Sequence, residues 1–376
     1  MKIAVNTRFL LKNKMEGIGW FTFETLKRMT ISHPEHTFYF LFDRPFDPSF
    51  LFASNVKPVV VSPQARHPLL WYVWFEYSIP RILSKLNADV FLSSDGYLSL
   101  RSQIPALLVI HDLAFEHLPK SIPSLTRKYY QYFIPKYARK AKQIISVSDF
   151  SKQDLIKRYH IAASKIEVAP NAAKSIFQML SEEDIETTRN EITNGAAYFL
   201  FVSALQPRKN LPGLLRAFDH FKNHHNDQDI KLVVAGAKYS LSRAIDDALK
   251  GMTHRSDVIF TGHLSPEKLA AVTGAALALT YVSFFEGFGI PILEAMQAGV
   301  PVICSNTSSM PGVAGDAALL VNPNSLKDIS EAMTKVSSDQ ALRKELINKG
   351  LKRAQAFSWD KTADIIWKVL LKTAAP

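Results

Sequence analysis

Short β-branched or apolar runs alternate with longer amphipathic stretches along almost the whole of this 376-residue chain. In the first half the runs are Lys2–Asn6, Thr37–Phe42, Val56–Val61, Val90–Ser93, Ala106–Ile110 and Gln143–Val147, with helical stretches such as Trp20–Met29 and Ser124–Ala141 between them. In the second half Tyr198–Val202, Lys231–Ala235, Val258–Thr261, Leu277–Tyr281 and Val300–Cys304 alternate with helices at Leu211–His220, Ser240–Leu249, Pro266–Ala271, Pro291–Ala298 and Ser325–Ser337. A strand covered on both faces reads as an unbroken apolar run, and a helix between two such strands lets them lie parallel. The expected fold class is therefore α/β, with a doubly wound, Rossmann-like parallel sheet formed twice. The polar stretch Ser181–Gly195 marks the expected boundary, between a domain 1–180 and a second from 181. Two such domains in sequence imply a cleft, and ligands of doubly wound sheets bind beyond the carboxyl ends of the strands. Chemistry is expected in the loops that follow strands.

Composition narrows the class. With 47% hydrophobic and 21% charged residues and a mean hydropathy of −0.01, the chain has the proportions of a soluble globular protein. One cysteine, Cys304, excludes an intrachain disulfide framework and a thiolate zinc site. The opening Met1–Val5 reads as a first strand rather than a signal peptide, and Leu69–Phe75 is far shorter than a membrane span, so a cytoplasmic protein is expected. The net charge of +11 resides wholly in residues 1–180, which hold 24 Lys and Arg against 13 Asp and Glu. Residues 181–376 hold 21 of each. An anionic partner for the first half follows: nucleic acid, an anionic membrane surface, or a phosphorylated or lipid-linked substrate.

The most informative segment is Phe284-Phe-Glu-Gly-Phe-Gly-Ile-Pro-Ile-Leu-Glu294, directly after a strand. Gly287 and Gly289 permit a tight turn with close approach of backbone to a ligand, and Pro291 suits a first helical turn. A glycine loop feeding a helix offers free N–H groups and a positive dipole end, which is an anion site. Glu286 in the loop and Glu294 on the helix suit the hydroxyls of a sugar or ribose. The bland alternative is an ordinary turn, with Glu294 only offsetting the helix dipole. A second segment, Ala204-Leu-Gln-Pro-Arg-Lys-Asn-Leu211, places Arg208 and Lys209 between a strand and a helix, where a diphosphate would sit or a basic turn would simply be solvated.

In the first half Gly17-Ile-Gly19 precedes a helix without the full dinucleotide fingerprint, and His111-Asp112 follows the strand Ala106–Ile110. A histidine there bonds a sugar hydroxyl, moves a proton, or is merely satisfied by its neighbouring aspartate. Segment 127–142 interleaves aromatics with Arg127, Lys128, Lys136, Arg139 and Lys140, and Leu69–Tyr77 adds further aromatics. Both suit an anionic membrane or a lipid-phosphate acceptor, or else form core with a wet basic face. His220, His224 and His225 lack an accompanying Glu and read as surface. No G-x-S-x-G, P-loop or H-E-x-x-H sequence is present.

Taken together, these motifs resemble the retaining nucleotide-sugar glycosyltransferases of the GT-B architecture, often called family 4, and in particular its mannosyltransferase-like members. The likeness runs through Gly17-Ile-Gly19, Val109–Asp112, Ser146–Ser148, Val168–Asn171, Pro207–Asn210, the Glu286 to Glu294 segment, Gly315–Val321 and Phe357–Trp359. It implies an acceptor-binding domain 1–180, a donor-binding domain 181–357, and a C-terminal helix within 358–376 that crosses back to the first domain. Arg208 and Lys209 would bind the donor diphosphate, Glu286 the sugar hydroxyls and Glu294 the ribose. Gly17 and Gly19 would approach the phosphates, and His111 would lie beside the transferred sugar. Asn210, Gly287, Phe288, Gly289 and Ile290 would complete the donor site. The family usually has glycine where this chain has Ala172, so a strained or altered turn is expected there if that position needs a positive φ.

The implied reaction is hexose transfer with retention from a GDP- or UDP-linked donor, mannose being favoured, to a glycan or lipid-linked acceptor in cell-surface polysaccharide or lipopolysaccharide synthesis. Leaving-phosphate assistance replaces a covalent intermediate, and neither metal nor cofactor is expected. Nucleic acid is not an expected partner, whereas an anionic inner-membrane surface is. A nucleotide-sugar epimerase, a phosphorylase, or a non-catalytic protein that binds anionic surfaces are the competing readings.

Overall fold

The computed structural model describes residues 1–12, 15–224, 229–236 and 243–375. They form two compact units, Met1–Asn171 with Ser358–Pro376, and Ala172–Phe357. The first unit holds the strands β1 Lys2–Asn6, β2 Thr37–Phe42, β3 Val56–Val60, β4 Val90–Ser93, β5 Ala106–Ile110, β6 Gln143–Ser146 and β7 Ile166–Val168. They join in the order β3-β2-β1-β4-β5-β6-β7, all parallel. In the second unit β8 Ala197–Val202, β9 Ile230–Ala235, β10 Val258–Gly262, β11 Ala278–Tyr281, β12 Val302–Ser305 and β13 Leu319–Val321 join as β10-β9-β8-β11-β12-β13, again parallel.

Helices connect the strands. Those of the first unit are α1 Gly17–Ser32, α2 Pro68–Val73, α3 Ile79–Leu86, α4 Ala114–His117, α5 Ser124–Lys140 and α6 Asp149–Tyr159. The second unit has α7 Glu182–Thr193, α8 Leu211–His224, α9 Arg243–Lys250, α10 Pro266–Gly274, α11 Ile290–Gln297, α12 Met310–Ala314, α13 Leu326–Ser338 and α14 Gln340–Ala354. The closing helix α15, Trp359–Ala374, clusters with the first unit, where Phe21 of α1 meets Trp359 edge to face. Central strands such as β5 and β12 are buried along their whole length, which is why they read as continuous apolar runs. No helix among the described residues is long and apolar enough to cross a membrane.

Several boundaries differ from the sequence expectation. The first unit ends at Asn171 rather than at residue 180, and Ser181–Gly195 is no linker but the site of α7. Its N-terminus is capped by Ser181 Oγ, which accepts from Asp184 N at 3.1 Å, and three acidic residues fill its first turn. Helix α1 starts at Gly17, so Gly17 and Gly19 lie in its first turn rather than in a loop before it. Strands β7 and β13, only three residues each, and helices α6 and α14 have no counterpart in the sequence expectation. Of the helix expected at Ser240–Leu249, residues 240–242 lie outside the described residues. Ala172 is not among the residues at positive φ, so the alanine there carries no left-handed strain.

Both strand orders reverse direction at a single point, between β1 and β4 in the first sheet and between β8 and β11 in the second. Connections leave such a point to opposite sides and open a crevice beyond the strand ends. The loops after those four strands are where a ligand site belongs.

Candidate active site

In the second unit the switch point carries an ion cluster that is buried except at Arg208. Beyond β8 a single 3₁₀ turn, Pro207–Lys209, presents Arg208 and Lys209, and beyond β11 the loop returns Glu286 to meet them. Lys209 Nζ donates to Glu286 Oε1 at 2.7 Å, and Arg208 Nη1 to Glu286 Oε2 at 2.8 Å. Lys209 Nζ also reaches the Tyr281 hydroxyl at 3.2 Å. Arg208 is held further by Phe285 O at 3.1 Å and by Gln206 Oε1 at 3.1 Å. Burial alone would raise the Glu286 carboxyl, but Lys209 and Arg208 outweigh it and hold it at about 2. The cluster is therefore one carboxylate bridging two cations. Burial lifts the Tyr281 phenol well above its ordinary value, so it stays a neutral hydroxyl beneath the lysine.

The loop is fixed by backbone and hydroxyl bonds. Phe284 N donates to Arg208 O at 2.9 Å, tying the two halves of the site directly. Ser308 Oγ accepts from Glu286 N at 3.0 Å, and Ser309 Oγ donates to the carbonyls of Glu286 and Phe288 at 2.9 and 2.8 Å. Phe288 is buried with its ring edge to face against Phe357 at 5.8 Å. Gly289 takes φ 108°, a conformation that glycine alone adopts cheaply, and is the N-cap of α11. Ile290 and Pro291 then open the helix; Pro291 brings no N–H and Ile292 N donates to Gly289 O at 3.0 Å, so the positive end of α11 faces the loop with fewer free N–H groups than an ordinary helix start. Glu294 sits within α11, buried, and its carboxyl is raised by that burial, with Lys174 only partly opposing, to about 7.

Asn210 takes a role the sequence did not suggest. Its Nδ2 donates to Val282 O at 3.1 Å and Pro323 O at 2.7 Å, and its backbone turns through φ 57° to start α8. With both Nδ2 hydrogens used on carbonyls inside the protein, it braces the two loops together. Gly287 stays in the loop beside Glu286, adjacent to the helix start.

The first unit has its own constellation at β1 and β4. His111, after β5, has Nε2 2.9 Å from Ser94 O. A carbonyl only accepts, so Nε2 carries the proton and Nδ1 keeps the lone pair. Burial pushes the His111 pKa down, against the opposing bond to Ser94, which keeps the ring neutral. Asp112 does not satisfy it: Asp112 Oδ1 caps the next turn by accepting from Ala114 N at 2.8 Å. Gly19 packs so close that a Cβ would lie 2.8 Å from Phe9 O, whereas Gly17 is exposed with open space. The close approach explains Gly19; nothing in the fold requires Gly17.

Sequence reasoning missed the ion pair between Arg8, after β1, and Asp95, after β4, at 2.5 Å. It also missed Tyr281 and the two serines that hold the loop. Arg8 and Asp95 are 87 positions apart, and only the parallel pairing of β1 with β4 brings them together. The basic residues of α5 divide as a helix requires. Lys128, Arg139 and Lys140 are exposed and Lys136 lies over the Tyr132 ring at 3.4 Å, but Arg127 turns back to donate to Pro119 O at 3.1 Å and leaves that face. His220 and His224 stack at 4.3 Å with His224 Nδ1 bonded to His220 O, and His225 lies outside the described residues.

This geometry can be set beside known proteins. Residues 16–174 match the family Glycosyltransferase Family 4, and residues 182–353 match Glycosyl transferases group 1. The chain belongs to the family 4 glycosyltransferases. It is 27% identical over 372 residues to the O-antigen chain mannosyltransferase B of Escherichia coli, covering 96% of this chain and 97% of that one. To the O-antigen chain mannosyltransferase RfbU of Salmonella typhimurium it is 26% identical over 292 residues, 76% of each. The crystal structure of Anabaena HepE with UDP and glucose superposes with a TM-score of 0.76 at 16% identity, over 99% of this glycosyltransferase and 100% of HepE. The fold is thus that of the GT-B enzymes, two Rossmann-like parallel-sheet units.

Proposed function

We propose that this glycosyltransferase moves a hexose, mannose being favoured, from a nucleoside-diphosphate sugar to a glycan or lipid-linked acceptor, with retention and without a metal. The observation that carries the reading is the Arg208–Lys209–Glu286 cluster at the switch point of the second sheet. Breaking the sugar–phosphate bond builds oxocarbenium character on the sugar and negative charge on the leaving diphosphate. Arg208, Lys209 and the first turn of α11 are the fixed positive groups for that charge, and preorganised donors of this kind supply most of the rate gain in such catalysis. Glu286 keeps both cations in place and accepts from sugar hydroxyls. His111 Nδ1, left as an acceptor by the Ser94 bond, suits a sugar hydroxyl in the first unit's own switch-point region. With two cations supplied by the chain, a divalent ion is not needed at the diphosphate.

Mannose is favoured because both O-antigen relatives are named mannosyltransferases. The same names favour cell-surface polysaccharide or lipopolysaccharide assembly, with the enzyme in the cytoplasm, peripheral at the inner membrane face. The donor nucleotide is GDP or UDP. The test is titration of the purified protein with GDP, UDP and their mannose and glucose conjugates, with and without EDTA. Selective binding of one nucleotide series, unchanged by EDTA and lost in Arg208→Ala, is the expected result. Binding that EDTA abolishes would overturn the metal-free mechanism, and binding of no nucleotide by folded protein would overturn the donor site.

A further inference from the structure

We propose that a cavity at the amino ends of β4, β5 and β6 binds a small phosphomonoester, at the opposite end of the first sheet from its switch point. The cavity measures about 210 Å³. It is lined by Phe91 near the start of β4, Pro105 and Ala106 at the start of β5, Lys142 just ahead of β6, and residues of the loop 98–104. The residues of the candidate active site follow the carboxyl ends of strands, and none of them lines this cavity. The proposal is therefore independent of the transferase reading.

Two of the lining residues are serines that the fold buries without using their protons. Ser99 is 1% exposed and Ser102 is 7% exposed. Ser99 Oγ accepts from Arg101 N at 3.2 Å and from Ser102 N at 3.1 Å, and Ser102 Oγ accepts from Ile104 N at 3.2 Å. Each oxygen thus serves the backbone, while neither hydroxyl proton has an acceptor among the described residues. A buried donor left without an acceptor costs stability, and an acceptor placed in the cavity relieves that cost. The loop is also fixed before any ligand arrives. Glu76, itself buried, accepts from Leu100 N at 3.0 Å and from Arg101 N at 3.2 Å, so little ordering remains for binding to supply.

Charge defines the ligand. Lys140 and Lys142 line the cavity and are exposed, so they stand at its mouth above the two hydroxyls, and no acidic residue lines it. Lys140 makes no hydrogen bond or ion pair with any described residue. Lys142 donates once, to Ala375 O beyond α15, which leaves two of its three N–H bonds for a ligand. The carbonyl end of α5 would repel an anion, but Arg139 O accepts from Lys165 Nζ at 2.7 Å, and the helix closes on Arg139 and Lys140. Neutral hydroxyl donors on the floor and two cations at the rim suit an anion whose oxygens point both ways. A phosphomonoester has three terminal oxygens and nearly two charges at neutral pH. A carboxylate, with two oxygens and one charge, would leave one set of donors unmet. The volume is roughly seven times the ~30 Å³ that one water occupies in the liquid, enough for a phosphate and a short carbon skeleton. Phe91, Leu98 and Pro105 supply apolar wall for that skeleton.

The experiment is calorimetric titration in phosphate-free buffer with glycerol 3-phosphate, inorganic phosphate and dimethyl phosphate, the last carrying the diester linkage of a lipid headgroup. Each titration is made on the parent protein and on Arg208→Ala, which removes the cluster of the second sheet as a rival phosphate site. Glycerol 3-phosphate should bind both proteins, more tightly than the other two compounds, and more weakly as salt rises. In the Arg208→Ala background, Ser102→Ala should lower that affinity at least tenfold, because a hydrogen bond to a charged group is lost. Lys140→Gln should lower it by a smaller factor that fades at high salt. Thermal melting shows which variants are folded, and Lys140 is exposed and unpaired, so its variant tests the site even where Ser102→Ala is destabilised. Absence of binding, binding that disappears in Arg208→Ala, or affinity unchanged in the folded Lys140→Gln and Ser102→Ala variants would overturn the proposal. Inorganic phosphate binding as tightly as glycerol 3-phosphate would overturn the monoester, and dimethyl phosphate doing so would make a diester the ligand. None of these outcomes involves nucleotide or sugar transfer, so failure here and failure of the donor titration are separate results.

Discussion

Each of the two sheets ends, at its switch point, in an arginine paired with a carboxylate, yet the two pairs are built for different work. In the first unit Arg8 meets Asp95, with side chains 4% and 1% exposed. The guanidinium is covered by the Tyr97 ring at 4.1 Å and the Phe75 ring at 5.3 Å, and its Nη1 is used on Ala65 O. In the second unit Arg208 and Lys209 are 23% and 10% exposed around a Glu286 of 7%. The same topology thus yields a sealed pair and an accessible one. A sealed pair can only hold strands together, whereas a cluster that stays open through Arg208, with Lys209 and Glu286 buried behind it, can be shared with an incoming anion.

The largest effect should come from breaking the accessible cluster. Lys209→Ala should lower sugar transfer far more than tenfold, on the order of a hundredfold, as removal of one preorganised donor does elsewhere, and Glu286→Ala similarly, because it removes the carboxylate that holds both cations in place. Asp95→Ala should instead lower stability, by about 3–5 kcal/mol, because it strands a buried guanidinium. Rates and melting temperatures measured on all three variants test the contrast. If Glu286→Ala melts as early as Asp95→Ala while both keep activity, accessibility does not separate the two roles.

The contrast also marks how far the sequence could be read. The α/β fold was legible because buried parallel strands leave unbroken apolar runs, and Arg208, Lys209, Glu286 and Glu294 could be singled out as candidates because they fall in two short local segments. The Arg8–Asp95 pair was not, since nothing local joins positions 87 apart. The bracing role of Asn210 was hidden for a related reason: its partners, Val282 and Pro323, are brought by other elements. Short strands such as β13 escape because three residues cannot show a period. Gly17 and Gly19 look equivalent in sequence and differ only in what a Cβ would meet.

A finer comparison lies within the second unit, between its two acidic residues. Glu286 is held at about 2 by its cations, and Glu294 is lifted to about 7 by burial. The signs are opposite. Glu286 has a folded pKa below its ordinary 4.5, so its contribution to stability is present above 4.5 and lost as pH falls toward 2. Glu294 has a folded pKa above 4.5, so its contribution is present below 4.5 and lost as pH rises through 7. A ribose diol donates its hydroxyl protons best to an ionised carboxylate, so donor affinity should rise with pH, roughly tenfold per unit below 7, and level off above it. A nucleotide sugar is the right probe, because its capped diphosphate does not titrate near neutrality. Titrations at pH 6, 7 and 8 should show the rise in the parent protein and a flat, weaker affinity in Glu294→Gln. The same variant should gain stability relative to the parent at pH 8 and not at pH 4, since it no longer places a charge in the apolar helix face. A pH-independent parent affinity would mean that Glu294 does not bind the ribose as a carboxylate, leaving Arg208, Lys209 and Glu286 to hold the donor by its diphosphate and sugar alone.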